Sequence, residues 1–256
     1  MEEQKDPQLA ERIRVAKEAH AAGHKKAKEE LHQKMGGTYV RDVVYSANDG
    51  IITTFAVVAG VAGAGLSPNI ILILGFANLC ADGLSMAIGN YLGTKSELEY
   101  NENERKMEEW EIEHIPEEEQ KEIREIYAKK GFKGTDLDIA VRVITSNKEI
   151  WVREMMVDEL GILPDDDTSP LKNGSATFIA FIIAGLLPLL PYVFGSGSAW
   201  GLSIFMTGFA LFLVGSVRTW ITGKKWFVGG VEMLLVGAIA AVVAYSVGNA
   251  IEKFVM

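Results

Sequence analysis

The stretches AWGLSIFMTGFALFLVGSVRTWI (residues 199–221) and WFVGGVEMLLVGAIAAVVAYSV (residues 226–247) decide the fold class. Crossing a bilayer core of roughly 30 Å takes about 20 predominantly apolar helical residues, and both runs reach that length. Backbone groups in lipid must find hydrogen-bond partners within the protein, so runs of this kind predict membrane-spanning α-helices. A third run of the same type lies at residues 175–194.

Two further spans are predicted near residues 43–64 and 69–92, although the first contains Asp49 and the second Asp82. Both runs are rich in glycine and alanine, which let membrane helices approach closely. The predicted fold is therefore an all-α, polytopic membrane protein with five transmembrane helices.

Most of the charge lies in one segment. The 256-residue chain has a formal net charge of −9, whereas residues 94–172 alone hold 22 acidic and 12 basic side chains. An acidic surface is unsuited to binding phosphate backbones, so nucleic acid is excluded as a partner. Cys80 is the only cysteine, which excludes an internal disulfide and cysteine-based zinc or redox motifs.

Four parts of the chain are predicted. They are a charged helical N-terminal arm (1–37), spans one and two (38–93), an acidic helical domain (94–172) and spans three to five (173–256). Span two is expected to continue unbroken to His114. Pro116 and the acidic residues after it favour the start of a new helix. The domain between spans two and three is therefore expected to contain three or four helices.

Loop charges predict the orientation of the chain. Lys34 and Arg41 precede span one, and Arg218, Lys224 and Lys225 lie around the connection between spans four and five. The loops on the opposite side carry no charge. By the positive-inside rule the N-terminus and the acidic domain are cytoplasmic, and the C-terminus lies on the other side.

Acidic side chains inside predicted spans are the most informative feature. An aspartate at the bilayer centre costs roughly 2.5–3.5 kcal/mol on insertion scales, so it usually lines a polar path or is paired. Helical spacing places Asp42, Tyr45 and Asp49 on one face of span one and Asn78, Asp82, Met86 and Asn90 on one face of span two. The two stripes predict a shared hydrophilic route, although Asp42 at the interface and a paired Asp82 would also fit.

Met86 bears on the kind of ion that such a route would carry. Carboxylates alone suit hard cations, whereas a thioether prefers softer transition metals. Asp49 together with Met86 favours Fe²⁺ or a similar divalent ion. The alternative is that Met86 only fills space, which is the commoner role of a methionine in a membrane helix.

A second group of carboxylates lies in the acidic domain. Helical spacing aligns Glu104, Glu108 and Glu111, then Glu119 and Glu122, and finally Met155, Met156 and Glu159. Carboxylates on adjacent faces repel one another unless a cation joins them. The pattern fits either a metal-collecting site or a solvated acidic surface with methionines in a helical core.

Several motifs in combination resemble the vacuolar iron transporter family. They are YVRD (39–42), SANDG (46–50), LSMAIGNYL (84–92), KSE (95–97) and EMMVDELG (154–161). The resemblance covers about residues 38–250 and includes the span count and the position of the acidic insert.

The resemblance implies a homodimer of five-span subunits that exchanges cytosolic Fe²⁺ for protons, with spans one and two lining a pathway at the dimer interface. It implies that Asp49 and Met86 are the intramembrane ligands and that Asp42 lies near the cytoplasmic mouth. The implied cytoplasmic metal-binding set is Glu108, Glu111, Glu119, Glu122, Met155, Met156 and Glu159; Glu104 is added by spacing alone.

The chain departs from the family pattern at two positions of span two. Many members have a small residue in place of Asp82 and a glutamate in place of Asn90. The additional acid changes the membrane stripe, which leaves the choice between Fe²⁺ and Mn²⁺ open. Residues expected along the transport path, besides the ligands, are Asp42, Asp82, Asn90 and Glu104.

The sequence therefore predicts a transporter and not an enzyme. It would export Fe²⁺, or Mn²⁺, from the cytosol by proton antiport, accept Zn²⁺ as a surrogate and hold no tightly bound cofactor. It is expected in the inner membrane of a prokaryote or the vacuolar membrane of a eukaryote, with the bilayer, metal ions and protons as partners. The alternatives are a metal sensor and a membrane-anchored ferroxidase, for which the single Glu111–His114 pair is too few.

Overall fold

The computed structural model describes residue 14 and residues 37–163, 168–195, 198–221 and 225–255. Within those residues every regular element is a helix. The helices are α1 (Gly37–Gly63), α2 (Pro68–His114), α3 (Pro116–Lys129), α4 (Gly134–Thr145), α5 (Lys148–Asp158), α6 (Pro170–Leu186), α7 (Leu190–Val193), α8 (Ala199–Ile221) and α9 (Trp226–Val255). The predicted N-terminal arm, apart from Arg14 and Gly37, lies outside the described residues, as does Lys224.

Among the residues that the structure describes, four helices contain stretches long and apolar enough to cross a membrane. These stretches are Arg41–Gly63, Pro68–His114, Ala199–Thr219 and Trp226–Phe254. They match the predicted spans one, two, four and five. Helix α2 has 47 residues, which at 1.5 Å per residue is about 70 Å. The prediction that span two continues unbroken to His114 is confirmed, and the helix extends well beyond the thickness of a bilayer core.

The third predicted span is not one continuous helix over residues 175–194. Helix α6 has 17 residues and ends at Leu186, and the short α7 follows after a turn. Proline has no N–H and disfavours helical geometry in the residue before it, so Pro188 and Pro191 account for the interruption. Ser203 Oγ of α8 donates a hydrogen bond of 2.7 Å to the Pro188 carbonyl at this interruption.

Helix α1 is the centre of the apolar bundle, because it packs against α2, α6, α8 and α9. Its side chains Phe55 and Val58 join Leu79 of α2 and Phe181 of α6 in one buried cluster. Phe55 also stacks on Trp200 of α8, with ring centroids 5.9 Å apart. The acidic residues of α1 are thus carried by the helix at the centre of the bundle.

Glycine allows the close contact between α1 and α6. A Cβ atom added at Gly185 would lie 2.7 Å from the Gly50 carbonyl oxygen and 2.6 Å from Leu79 Cδ1. Both distances are shorter than any packed side chain tolerates. The small residue therefore sets the spacing of the two helices.

The Gly185→Ala variant is expected to lower the thermal unfolding midpoint of the detergent-solubilised protein. Forcing a methyl group into a packed contact costs roughly 1–3 kcal/mol. Gly201→Ala on α8 is the matched control, because a Cβ there would meet nothing within 4 Å. Equal midpoints for the two variants would contradict this account of the contact.

The segment between the second and third predicted spans folds into a compact group of helices. The end of α2 packs with α3 and α5, and α4 packs with α3 and α5. The core of this helical domain is formed by Ile112, Ile123, Val141, Trp151, Val152, Met155 and Met156. Helix α3 begins at Pro116 with three glutamates in its first turn, as predicted. The expectation of three or four helices in this segment is confirmed.

Candidate functional site

A cavity of about 450 Å³ lies beside the two predicted polar stripes. It is bounded by α1, α2 and α6, and its lining is Arg41, Asp42, Tyr45, Ser46, Asp49, Met86, Gly89, Asn90 and Thr177. The structure thus brings Asp42 and Asp49 together with Met86 and Asn90. We call this space the intramembrane cavity.

Asn90 joins three helices at the wall of the intramembrane cavity. Its Nδ2 donates to Asp42 Oδ2 at 2.9 Å and to Thr177 Oγ1 at 2.7 Å. Arg41 Nε donates to the other carboxylate oxygen, Asp42 Oδ1, at 3.3 Å. Asp42 is buried, and donors on both of its oxygens offset the loss of hydration.

Asp49 lies in the same cavity in a different environment. In the described part of the chain no side chain donates a hydrogen bond to its carboxylate. Asp82 is absent from the cavity lining, but its charge is close enough to repel that of Asp49. Two neighbouring carboxylates without a basic partner attract a cation, and Asp49 is the one that faces the cavity.

Sequence reasoning missed the contribution of α6 to this cavity. Thr177 lines it, and the Asn173 carbonyl lies 3.4 Å from Asn90 Nδ2. Asn173 and Thr177 are both buried. They lie one helical turn apart in an apolar helix, so they share a face. This pair of polar residues is the sequence feature that could have predicted the contribution of α6 to the cavity.

The helical domain holds a compact group of glutamates. Glu108 and Glu111 of α2 and Glu119 of α3 each offer a carboxylate oxygen, and these oxygens all lie within 4.8 Å of one another. The chain reverses at Ile115 and Pro116, which turns the start of α3 against the end of α2. Glu108 and Glu119 are buried, and each has one oxygen without a hydrogen-bond partner in the described part of the chain.

Glu122 and Glu159 complete this group, and all five carboxyls interact electrostatically. Burial, followed by repulsion from Glu159, raises the pKa of Glu108 to about 8. Burial, followed by repulsion from Glu122, raises the pKa of Glu119 to about 7. The pKa of Glu159 is raised to about 6 by burial first and then by repulsion from Glu122. We call Glu108, Glu111, Glu119, Glu122 and Glu159 the glutamate group.

Three predicted site residues lie apart from the glutamate group. Glu104 is half-buried one helical turn before Glu108 and belongs to no close triad of carboxylates in the described residues. Met155 is fully buried and Met156 is 9 % exposed, and both belong to the hydrophobic core of the domain. The positions of the two methionines show that they pack in this core, and their part in metal binding stays a prediction.

A polar clamp holds α3 against α5 next to the glutamate group. Tyr127 Oη donates to Glu154 Oε2 at 2.8 Å. Lys130 pairs with Asp158, and its Nζ lies 3.6 Å from Glu154 Oε2 and 4.6 Å from the centroid of the Tyr127 ring. Burial and the bond to Glu154 raise the pKa of Tyr127 to about 12, so its hydroxyl remains a donor. The clamp fixes α3, which carries Glu122, against the end of α5, which Glu159 directly follows.

The Lys130→Met variant is expected to lower the thermal unfolding midpoint slightly and to weaken Zn²⁺ binding by the glutamate group several-fold. Exposed ion pairs contribute about 1 kcal/mol or less, so the shift in the midpoint should be a few degrees at most. Lys121→Met is the control, because the Lys121 amino group pairs with Glu118 on its own helix. The clamp has no positioning role if both variants bind Zn²⁺ as tightly as the unmodified protein.

The sequence is similar to one protein family over most of its length. The sequence model of the VIT family matches residues 40–249. The chain is 37 % identical over 237 residues to a "Vacuolar iron transporter" of Toxoplasma gondii, covering 88 % of this chain and 78 % of that protein. It is 34 % identical to "Vacuolar iron transporter 1" of Arabidopsis thaliana, covering 84 % and 87 % of the two chains. A "Vacuolar iron transporter" of Plasmodium falciparum is 31 % identical, with 95 % and 93 % covered.

Proposed function

The chain belongs to the VIT family, and from that premise we propose that it carries Fe²⁺ out of the cytosol across a membrane in exchange for protons. The observation that carries the proposal is the intramembrane cavity, in which Asp42, Asp49, Met86 and Asn90 meet. The names of these relatives, which are called vacuolar iron transporters, support iron as the cargo.

The donor set of the cavity suits a divalent transition metal. Asp49 offers an anionic oxygen, and Met86 offers a polarisable sulfur on the facing helix. Oxygen ligands alone would serve Mg²⁺ or Ca²⁺ equally well, whereas a thioether favours softer ions. Fe²⁺ is therefore the cargo that we propose first, and Mn²⁺ is the second candidate. Zn²⁺ serves as a surrogate in binding experiments.

Five membrane crossings are part of this proposal. Helices α6 and α7 together run from Pro170 to Val193, and the pair would form the third crossing despite the turn between them. Arg41, Arg218 and Lys225 mark the cytosolic side by the positive-inside rule. The glutamate group, carried on the extension of α2, then lies in the cytosol.

A homodimer would cover an apolar surface that a single chain leaves open. On α2, Ile73, Leu84, Ile88 and Leu92 are exposed, and Met86 on the same helix reaches the intramembrane cavity. A lipid or a second copy would cover this surface in the membrane. An odd number of crossings provides no complete inverted repeat within one subunit, so two copies are the simpler way to enclose a pathway.

Coupling to protons would follow from the same carboxylates that bind the metal. A carboxylate binds a metal ion in its deprotonated form, so protonation releases the ion. In the mechanism that we propose, the glutamate group collects Fe²⁺ from the cytosol, the ion moves to Asp49 and Met86, and protons from the far side displace it.

The ferroxidase alternative receives no support from the geometry. Di-iron carboxylate sites combine glutamates with histidines from Glu-x-x-His pairs. The close triad is made of glutamates alone in the described residues. His114, the histidine nearest in sequence, donates from Nδ1 to the Trp110 carbonyl oxygen at 2.7 Å and stacks on the Trp110 ring.

Fe²⁺ flux into proteoliposomes tests the proposal. The wild-type protein is reconstituted with a pH-sensitive dye in the lumen, and empty liposomes are the control. We expect Fe²⁺ entry to accelerate when the lumen is acidic and to make the lumen more alkaline. Fe²⁺ binding without flux would indicate a sensor, and flux that ignores the pH gradient would contradict antiport. Oxygen consumption on addition of Fe²⁺ would indicate a ferroxidase.

A further inference from the structure

The turn between α3 and α4 is the basic part of an otherwise acidic segment. Residues 129–134 read KKGFKG and contain three lysines and no acidic residue, whereas residues 94–172 as a whole hold 22 acidic and 12 basic side chains. Lys130 belongs to the polar clamp. Lys129 and Lys133 are exposed, and neither side chain forms an ion pair or a hydrogen bond with any residue that the structure describes. We call residues 129–134 the lysine turn.

Backbone hydrogen bonds fix the shape of the lysine turn. The Gly131 N–H donates to the Ala128 carbonyl at 3.0 Å, and the Phe132 N–H donates to the Tyr127 carbonyl at 3.1 Å. Such a pair of bonds ends a helix at a glycine of positive φ, and Gly131 has a φ of 104°. The Phe132 ring contacts the Tyr127 ring, with centroids 5.4 Å apart, yet 41 % of Phe132 remains exposed. The turn therefore presents an aromatic ring and two unpaired lysines on a fixed backbone.

The lysine turn lies on the side of the helical domain that faces back along α2 towards the apolar bundle. Helix α5 begins beside the far end of α2, because Lys148 pairs with Glu113. At the other end of α5, Asp158 pairs with Lys130 of the lysine turn. The 11 residues of α5 rise about 16 Å, so α5 separates the lysine turn from the tip of α2.

The end of α5 is next to the boundary of the apolar bundle. Residues 161–163, which follow α5, line one cavity of about 400 Å³ together with Thr94 of α2 and Asn173 of α6. Asn173 Nδ2 donates a hydrogen bond of 3.2 Å to Thr94 Oγ1. Thr94 follows the second predicted span (69–92), and Asn173 lies in the first turn of α6, so this contact marks where both helices leave the membrane. The clamp thus places the lysine turn close to the membrane surface.

We propose that the lysine turn docks on anionic lipid headgroups of the leaflet from which α2 extends. Charge complementarity selects this partner, because each lysine near an anionic bilayer surface strengthens association about fivefold. The ammonium groups of Lys129 and Lys133 donate hydrogen bonds to lipid phosphates. The Phe132 ring packs at the boundary between headgroups and acyl chains. A soluble acidic protein would not need the lysines to lie on the side that faces the membrane.

Docking gives the helical domain a third attachment to the membrane, besides the connections through α2 and α6. The rest of the domain is acidic, so an anionic bilayer surface repels it. The lysine turn therefore determines which side of the domain approaches the bilayer. This role depends neither on the ion that the protein carries nor on the direction of transport.

Quenching of a dye by lipid headgroups tests the docking. Cys80, the only cysteine, is removed by Cys80→Ser, and a nitrobenzoxadiazole dye is attached to the full chain through either Thr135→Cys or Ser146→Cys. Thr135 adjoins the lysine turn, whereas Ser146 follows α4 and lies two residues before Lys148, at the far end of the domain. Each protein is placed in nanodiscs that contain a lipid with a nitroxide on its headgroup. The nanodiscs are made of phosphatidylcholine alone or of equal parts of phosphatidylcholine and phosphatidylglycerol.

We expect the dye at position 135 to be quenched at least about twofold more in the anionic nanodiscs, and the dye at position 146 to be quenched equally in both. Lys129→Gln combined with Lys133→Gln should return quenching at position 135 to its value in phosphatidylcholine, as should a high salt concentration. Arg142→Gln is the matched control and should change nothing. Arg142 is exposed and has no described partner, but it lies towards the far end of α4.

Equal quenching at position 135 in the two kinds of nanodisc would overturn the docking. Quenching that persists after both lysines are replaced, or that is as strong at position 146 as at position 135, would overturn it too. Because no ion flux is measured, none of these results bears on the proposed transport function.

Discussion

Replacement of Asp49 by asparagine is expected to abolish Fe²⁺ transport while leaving metal binding by the glutamate group unchanged. Asparagine keeps the shape of the side chain and removes its charge. In the Asp49→Asn variant the Fe²⁺ ion would enter the cavity without the Asp49 carboxylate as its partner. A buried charge left without its partner costs about 3–5 kcal/mol. Each 1.36 kcal/mol corresponds to a factor of about ten in rate. The loss of Fe²⁺ flux should therefore be at least about 100-fold.

Asp49 is the position for this test because Asp42 is already engaged. Both oxygens of Asp42 accept hydrogen bonds, from Asn90 and Arg41, whereas no described side chain donates to the Asp49 carboxylate. Asp138→Asn is the control, since Asp138 lies on the surface of the helical domain and pairs with Arg124 at 2.7 Å. Normal flux through Asp49→Asn would show that the ion does not pass through the intramembrane cavity.

Metal binding by the glutamate group is expected to strengthen by at least about 100-fold between pH 6 and pH 8. The pKa values of Glu159, Glu119 and Glu108 are raised to about 6, 7 and 8. Binding requires deprotonated carboxylates, and release of one proton per metal ion changes the apparent affinity tenfold per pH unit. Titration calorimetry of the full chain with Zn²⁺ in buffers of different ionisation enthalpy would count the protons released.

The same raised pKa values predict the opposite trend for the metal-free protein. A carboxyl with a raised pKa binds more protons in the folded than in the unfolded state, so its stabilising effect is complete below its ordinary pKa of 4.5 and is lost as the pH rises to about 8. The unfolding midpoint of the metal-free helical domain should fall over this range, and Zn²⁺ should restore it.

The Glu108→Gln variant separates these two effects. It should bind Zn²⁺ at least about tenfold more weakly and unfold at a higher midpoint than the metal-free wild type at pH 8. Glu113→Gln is the control, because Glu113 is exposed and its contact with Lys148 lowers its pKa. Affinity and stability that do not change with pH would refute the electrostatic coupling within the glutamate group.

Elements governed by local sequence were predicted well. Runs of apolar residues determine four of the helices that can cross a membrane, because length and hydropathy are local properties. The continuation of α2 to His114 and the start of α3 at Pro116 follow from helix-forming residues and from the missing N–H of proline. The faces shared by Asp42 and Asp49, or by Glu108 and Glu111, follow from the helical period alone.

The distances between helices were decided by the tertiary structure. Helical periodicity places Glu104 on the same face of α2 as Glu108 and Glu111. The reversal at Ile115 nevertheless brings Glu119 to Glu108 and leaves Glu104 outside the close triad. Asp82 shares a stripe with Met86, yet the cavity is lined by Met86 and not by Asp82. Which members of a stripe meet depends on where the neighbouring helix lies.

The sequence by itself determined that this protein is helical, that several of its helices can cross a membrane, and which residue types could hold a metal ion. Only the tertiary structure decided that α6 packs against both α1 and α2, so that Asn173 and Thr177 of α6 join Asn90 of α2. It also decided that Met155 belongs to a core. The physical reason is that helix contacts depend on close packing at positions such as Gly50 and Gly185, and no single helix encodes the position of its neighbour.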